Sequence, residues 1–172
     1  MAFLNIEIKA RCSNPQFVRE WLNSHQAVFK GTDHQTDSYF HVKEGRLKLR
    51  EGNIENNLIY YRRANQEGPK ASSFELLPVN DPAKMKSILV AALGVKVVVE
   101  KKREIYFIDN VKFHIDEVPG LGHFVEIEAG NLTRDLEQST LEAQCAHYMQ
   151  VLNIQQQDLI DRSYSDLLGA SD

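Results

Sequence analysis

Cysteine is nearly absent from this chain. Cys12 and Cys145 are its only two in 172 residues, far apart and without a nearby partner, which argues against a disulfide framework or a zinc site. No apolar run approaches the roughly 20 residues that cross a bilayer. The opening Met-Ala-Phe-Leu-Asn-Ile-Glu lacks the basic and long apolar stretches of a secretion signal, so no membrane partner and a cytoplasmic location are expected. Positive charge is not in excess: 20 Lys and Arg stand against 24 Asp and Glu, a formal net charge of −4. That speaks against nucleic acid held on a broad basic surface. The six histidines show no paired-ligand spacing, and no long linker, low-complexity tract or repeat appears. One soluble domain over residues 1–172, long enough to bury a sizeable core, is the expectation.

What is present is charge in strand-like places, although Lys is normally depleted in strands. The run from Asp116 to Glu128 ends with acids at alternate positions, Glu126 and Glu128, separated by Val125 and Ile127. Strand side chains point to opposite faces with period two, so the two acids share one face. The segment Leu4–Arg11 repeats the design, with Asn5, Glu7, Lys9 and Arg11 on its charged face. The same reading puts Arg46, Lys48 and Arg50 on one face, Lys101 and Arg103 on one, His114 with Asp116, and Arg62 with Tyr60.

The rest of the chain fits α+β. Asn14-Pro15 opens a helix with the stripe Phe17, Val18, Trp21 and Leu22, ending before Gly31. Asp81-Pro82 opens a second, with Met85, Ile88, Leu89, Ala92 and Leu93 inward and Gly94 at its end. A third spans about 135–152 with Leu141, Cys145, Tyr148 and Met149 inward, and a short fourth lies between Gln156 and Leu168. After the first strand, further strands are predicted at 36–43, 46–51, 57–64, 71–77, 96–109, 111–117 and 123–129. Gly45, Gly52 and Asp109-Asn110 mark turns between them.

Alternating charge is usually the wet face of an antiparallel sheet. That reading leaves unexplained why cationic triplets occupy one strand and carboxylates others, where a wet face would mix signs as cross-strand pairs. Apolar residues on the opposite faces (Leu4, Ile6, Ile8, Leu47, Leu49, Val125, Ile127) suit packing against helices, which leaves the charged faces to line a closed barrel. Arg and Lys there suit phosphate oxygens. Carboxylates beside them imply an intervening cation, Mg²⁺ or Mn²⁺ on ligand type.

Taken in order, these segments resemble the CYTH superfamily, the triphosphate tunnel metalloenzymes, and within it the class IV adenylyl cyclase-like branch. The resemblance runs through Asn5–Arg11, Gln35–Phe40, Gly45–Glu51, Leu58–Arg63, Lys101–Glu104, Asp116–Glu128 and Ser163–Leu168. It implies an eight-stranded antiparallel tunnel with a charged interior and helices outside, binding a nucleotide or inorganic triphosphate with Mg²⁺ or Mn²⁺. By similarity Glu7, Glu126 and Glu128 hold metal, with Asp116 as a further acid. Lys9, Arg46, Lys48, Arg50, Arg62, Lys101 and Arg103 hold phosphate oxygens, and Glu7, Lys9, Glu126 and Glu128 form the catalytic set. A homodimer is reasonable on the same ground. The family opens on Glu-x-Glu-x-Lys where this chain has Asn5-x-Glu7-x-Lys9, one negative charge fewer. Weaker binding at one metal position or a shifted metal preference is expected from that change.

Three readings follow. A cyclase makes cyclic AMP and pyrophosphate from ATP; a triphosphatase hydrolyses inorganic, thiamine or nucleoside triphosphate; a binding module retains triphosphate or polyphosphate without turnover. His114 is the histidine worth testing, because it shares a face with Asp116. Gly120-Leu-Gly122 is a turn rather than a phosphate loop. Tyr39 and Tyr60 are expected in packing roles.

Overall fold

A computed structural model describes residues 3–169. Eight strands close into one antiparallel barrel: β1 (Phe3–Arg11), β2 (Val28–Phe40), β3 (Arg46–Glu51), β4 (Asn57–Arg63), β5 (Lys70–Pro78), β6 (Val95–Ile108), β7 (Val111–Val118) and β8 (Gly122–Gly130). Around the ring the order is β1-β5-β4-β3-β2-β6-β7-β8. Helices α1 (Pro15–Ser24), α2 (Pro82–Leu93) and α3 (Gln138–Val151) pack outside, followed by a 3₁₀ turn (Gln156–Asp158) and the one-turn α4 (Tyr164–Leu167). No helix among the described residues is long and apolar enough to cross a membrane.

The barrel is inverted, as the alternation implied. Ile6, Ile8 and Ala10 of β1, Phe113 and Ile115 of β7, and Val125 and Ile127 of β8 face outward. There they meet Val18 and Leu22 of α1 and Leu141 and Cys145 of α3 in one buried cluster. Burying each of the Val, Leu, Ile and Phe side chains there stabilises the fold by about 1.5–3 kcal/mol. Asn14 caps α1, its Oδ1 accepting from the Phe17 amide at 3.1 Å, and Asp81 caps α2 through the Lys84 amide at 3.0 Å. Of the predicted α1 stripe, Phe17 is left 40% exposed.

The other half of the ring is barer. No residue of α2 is fully buried, and Ile88, 58% exposed, is turned from the barrel. The stripe expected of this helix therefore fails on one side: Met85 and Leu89 are half-buried while Ile88, Ala92 and Leu93 are exposed. β2 starts at Val28, eight residues before the predicted 36, and runs antiparallel along β6 with register shifts between Phe29 and Gly31 and between Tyr39 and Phe40. The polar Lys30–Gln35 stretch carried no alternation to announce a strand; pairing with β6 imposes it.

A second cluster fills one end of the lumen. Tyr39, Ile59, Tyr61, Phe74, Val99, Val118 and Phe124 meet Ile160 and Tyr164 of the C-terminal segment. That segment is laced to the barrel rim by the Ile160 amide on the Lys9 carbonyl at 3.0 Å and by Arg46 on Asp166 at 3.0 Å.

Candidate active site

The register decides which side chains meet. Glu7 lies opposite Glu128 and Lys9 opposite Glu126 across β1 and β8. His114 faces Glu126 across β7 and β8, and Arg103 faces Asp116 across β6 and β7. On the far side of the ring Arg50 faces Asp37. The lumen between holds a cavity of about 340 Å³, lined by seven basic side chains (Lys9, Lys48, Arg50, Arg63, Lys101, Arg103, Lys112) and four carboxylates (Glu7, Glu55, Glu126, Glu128). An acidic chain has thus gathered a basic interior. Asn5, Asn57 and Ser72 add neutral polar groups, and Tyr39, Ile59, Tyr61, Phe74, Leu76 and Phe107 an apolar and aromatic wall.

Two buried carboxylates organise the cations. Asp37 takes the Arg50 fork at 2.9 and 2.8 Å, Lys101 Nζ at 2.8 Å and Lys48 Nζ at 3.2 Å. Burial alone would push its carboxyl up, but Arg50, Lys101 and Lys48 together hold it well below the usual range. Burial likewise pulls Lys101 down, to about 7, with Asp37 opposing. Asp116 takes the Arg103 fork at 2.7 and 2.6 Å and the Tyr164 hydroxyl at 2.7 Å. Arg103 reaches on to Glu126 at 3.1 Å, and Lys9 binds the other oxygen of Glu126 at 2.9 Å while lying over the Tyr164 ring. Lys9 and Arg103 outweigh burial and hold Glu126 well below its ordinary value. Burial, then Arg103, lowers His114, with Glu128 and Glu126 opposing.

Glu55 enters from the turn between β3 and β4. The Asp33 carboxylate accepts from the Ile54 and Glu55 amides at 2.9 and 3.0 Å. A Cβ at Gly52 would stand 2.6 Å from the Asp33 carboxylate, so only glycine lets the turn close on it. Glu55 so held bonds Lys112 and Arg50 at 3.1 Å. These cations outweigh burial and hold Glu55 below its usual value.

Of the residues singled out from the sequence, Glu7, Lys9, Lys48, Arg50, Lys101, Arg103, Glu126 and Glu128 surround the one cavity. Three lie elsewhere. Asp116 sits behind Arg103 with both oxygens engaged, which corrects its reading as an open metal ligand. Arg46 reaches the closed end of the barrel, donating to Ser163 Oγ at 2.8 Å and to Asp166, outside the central cavity. Arg62 is on the outer face, its side chain 63% exposed beside Glu44, so the expectation that it faces phosphate is overturned. The inward member of the pair is Arg63, bonded to Glu7. Ring closure made the choice: β4 is inward at Asn57, Ile59 and Tyr61, opposite Arg50, Lys48 and Arg46, and so at Arg63, opposite Ser72.

Sequence reasoning also missed Asp37, Glu55 and Lys112. Asp37 was readable in principle, two residues from Tyr39 and Gln35 on one face of a strand. Glu55 lies in a turn and carries no periodic signal.

The profile of the CYTH domain matches residues 4–164. The chain belongs to the CYTH family. Among relatives of this CYTH protein is one from Methanocaldococcus jannaschii, named as a candidate adenylate cyclase, 28% identical over 96% of this chain and 99% of its own. A conserved hypothetical protein of Pyrococcus furiosus shares the fold at a TM-score of 0.78 and 21% identity, over 95% of this chain and 99% of that one. A Hippeastrum protein, a candidate adenylyl cyclase described as having a dominant triphosphatase activity, superposes at 0.63 with 16% identity, over 96% and 93% of the two chains.

Proposed function

We propose that this CYTH protein is a divalent-metal-dependent enzyme that acts on a triphosphate inside its tunnel, with cyclisation of ATP to cyclic AMP and pyrophosphate as the first reading. The observation that carries it is the convergence of seven basic side chains and four carboxylates on one lumen. An anion with several linked phosphates can engage Arg50, Lys48 and Lys101 on one wall and Arg103, Lys9 and Arg63 on the other. Planar Arg forks match phosphate oxygens in pairs, and Lys supplies point charge. The aromatic wall of Tyr39, Tyr61 and Phe74 gives an organic triphosphate a surface that inorganic triphosphate would not use.

The donor set fits a dication. Glu7, Glu126 and Glu128 line the cavity, and ligand atoms of His114, Glu126 and Glu128 lie within 4.8 Å of one another. Mg²⁺ or Mn²⁺ bound there would polarise a phosphoryl oxygen and acidify an attacking hydroxyl. The chain's own contribution is placement and charge. Asp37 and Asp116 aim Arg50 and Arg103 before substrate arrives, so no reorganisation is needed as charge builds on the leaving phosphate. Lys101, drawn to about 7, can yield or take a proton near neutrality.

Hydrolysis of inorganic, thiamine or nucleoside triphosphate is the second reading. It is favoured by the dominant triphosphatase activity of the Hippeastrum relative. The same reading carries a cytoplasmic setting and, by family similarity, a homodimer. The experiment is incubation with ATP, thiamine triphosphate and inorganic triphosphate, each with Mg²⁺ or Mn²⁺, resolving cyclic AMP, pyrophosphate and orthophosphate. Cyclic AMP with pyrophosphate supports the first reading and orthophosphate the second. Tight binding with no product from any substrate would make the chain a binding module.

A further inference from the structure

We propose that His114 is a nitrogen ligand of the tunnel's metal site, so that with Glu126 and Glu128 it forms a centre holding Mn²⁺ more firmly than Mg²⁺. The inference rests on the reading of the tunnel as a metal site and adds to it the identity of one ligand and the class of ion that ligand selects.

Geometry comes first. His114 Nδ1 stands 3.1 Å from Glu126 Oε2 and 3.8 Å from Glu128 Oε1. Ligand atoms roughly 2.1 Å from one ion sit about 3 Å apart when adjacent and about 4 Å apart when opposite. Both spacings from His114 suit one coordination shell, and the two carboxylate oxygens lie within 4.8 Å of each other. The β7–β8 register fixes this, because His114 and Glu126 are directly opposed on strands whose outer faces are buried against α1 and α3.

Among the described residues, His114, Glu126 and Glu128 are the one group of three such donors whose ligand atoms gather within 4.8 Å.

His114 is 1% exposed, and its Nε2 has no hydrogen-bond partner. Without an ion, Nδ1 carries the proton and donates to Glu126 Oε2 at 3.1 Å. An ion between the ring and the carboxylates would take the place of that proton, which would pass to Nε2, where no other group fixes the tautomer. Imidazole nitrogen suits first-row transition ions, whereas Mg²⁺ prefers an all-oxygen shell with retained water.

The test uses the whole chain stripped of metal with a chelator and titrated with Mn²⁺ or Mg²⁺, with and without inorganic triphosphate. Mn²⁺ is expected to bind about tenfold or more tightly than Mg²⁺, with a directly coordinated imidazole nitrogen in its pulsed electron-spin spectrum. Labelling the histidines with ¹⁵N should shift that coupling in the unmutated protein, a readout that needs no variant to fold. His114→Gln should abolish the coupling and weaken Mn²⁺ about tenfold or more, with Mg²⁺ altered far less. Mn²⁺ bound without nitrogen coupling, or coupling that survives His114→Gln, overturns the proposal and leaves the triphosphate reading intact. A wild-type chain that binds neither ion overturns both.

Discussion

The two walls of the tunnel are built on opposite plans. On β1, β7 and β8 the lumen carries three carboxylates and an imidazole (Glu7, Glu126, Glu128 and His114) beside Lys9 and Lys112, and the outer face of the same strands is the deepest part of the core, packed under α1 and α3. On β2, β3 and β6 the lumen carries Lys48, Arg50 and Lys101 gathered on the single carboxylate of Asp37. The α2 helix beside that wall buries no residue fully. A metal site needs its ligands fixed to a fraction of an ångström, and a rigid backing supplies that. A phosphate cradle needs charge, which long Lys and Arg side chains deliver without so firm a backing. Tyr164 ties into the acid-bearing wall, bonding Asp116 and lying under Lys9.

The comparison breaks first at the acids. Glu126→Gln or Glu128→Gln is expected to lower metal-dependent turnover by about a hundredfold or more with the circular-dichroism spectrum unchanged. Full activity in both variants would contradict their assignment to the metal.

Asp37→Asn attacks the basic wall and should do the opposite kind of damage. Removing one partner of a buried pair typically costs about 3–5 kcal/mol, and here three cations lose their counter-charge, so the urea midpoint should drop sharply. Triphosphate affinity in the surviving folded fraction should fall, because Asp37 no longer aims Arg50 or opposes the loss of charge on Lys101. A variant as stable as the parent would show that Asp37 does not organise this wall.

Arg62 and Arg63 give an internal control one residue apart. Arg63→Ala should weaken triphosphate binding about tenfold or more, the worth of a charge-assisted hydrogen bond. Arg62→Ala, on the outer face, should change it less than twofold by calorimetry. Equal losses would mean that the lumen face of β4 has been misassigned.

The smallest effect is in pH. Lys101 titrates at about 7 when buried, against 10.5 when unperturbed. Between those values the unfolded chain holds the extra proton, so this group alone makes folding more favourable as pH rises from 7 towards 10.5. Binding runs the other way. A bound anion needs the charged lysine, so affinity should fall as pH rises through 7 to 9, with proton uptake on binding. Lys101→Arg should flatten that slope, because guanidinium stays charged; a parent chain with no slope would place the lysine's titration elsewhere.

Much of this protein was legible before it folded. Period two alone put Glu126 with Glu128 and Lys48 with Arg50, because successive strand side chains cannot share a face. The Asn14-Pro15 and Asp81-Pro82 signatures marked two helix starts for the stereochemical reason that a capping oxygen and a fixed φ suit the first turn. Alternation also told an inverted barrel from a wet sheet, since Ile6, Ile8, Val125 and Ile127 needed cover. What it left open was which of two parities on β4 is the inside, for Arg62 and Arg63 are equally periodic choices. Strand pairing around the closed ring settled that in favour of Arg63. Closure alone also set the axial heights that bring Asp37 against three cations, retire Asp116 behind Arg103, and seat Tyr164 from the far end of the chain beneath Lys9. Local chemistry determines which side chains travel together along a strand. Only the register between strands determines whom they meet, because those contacts join side chains carried on different elements.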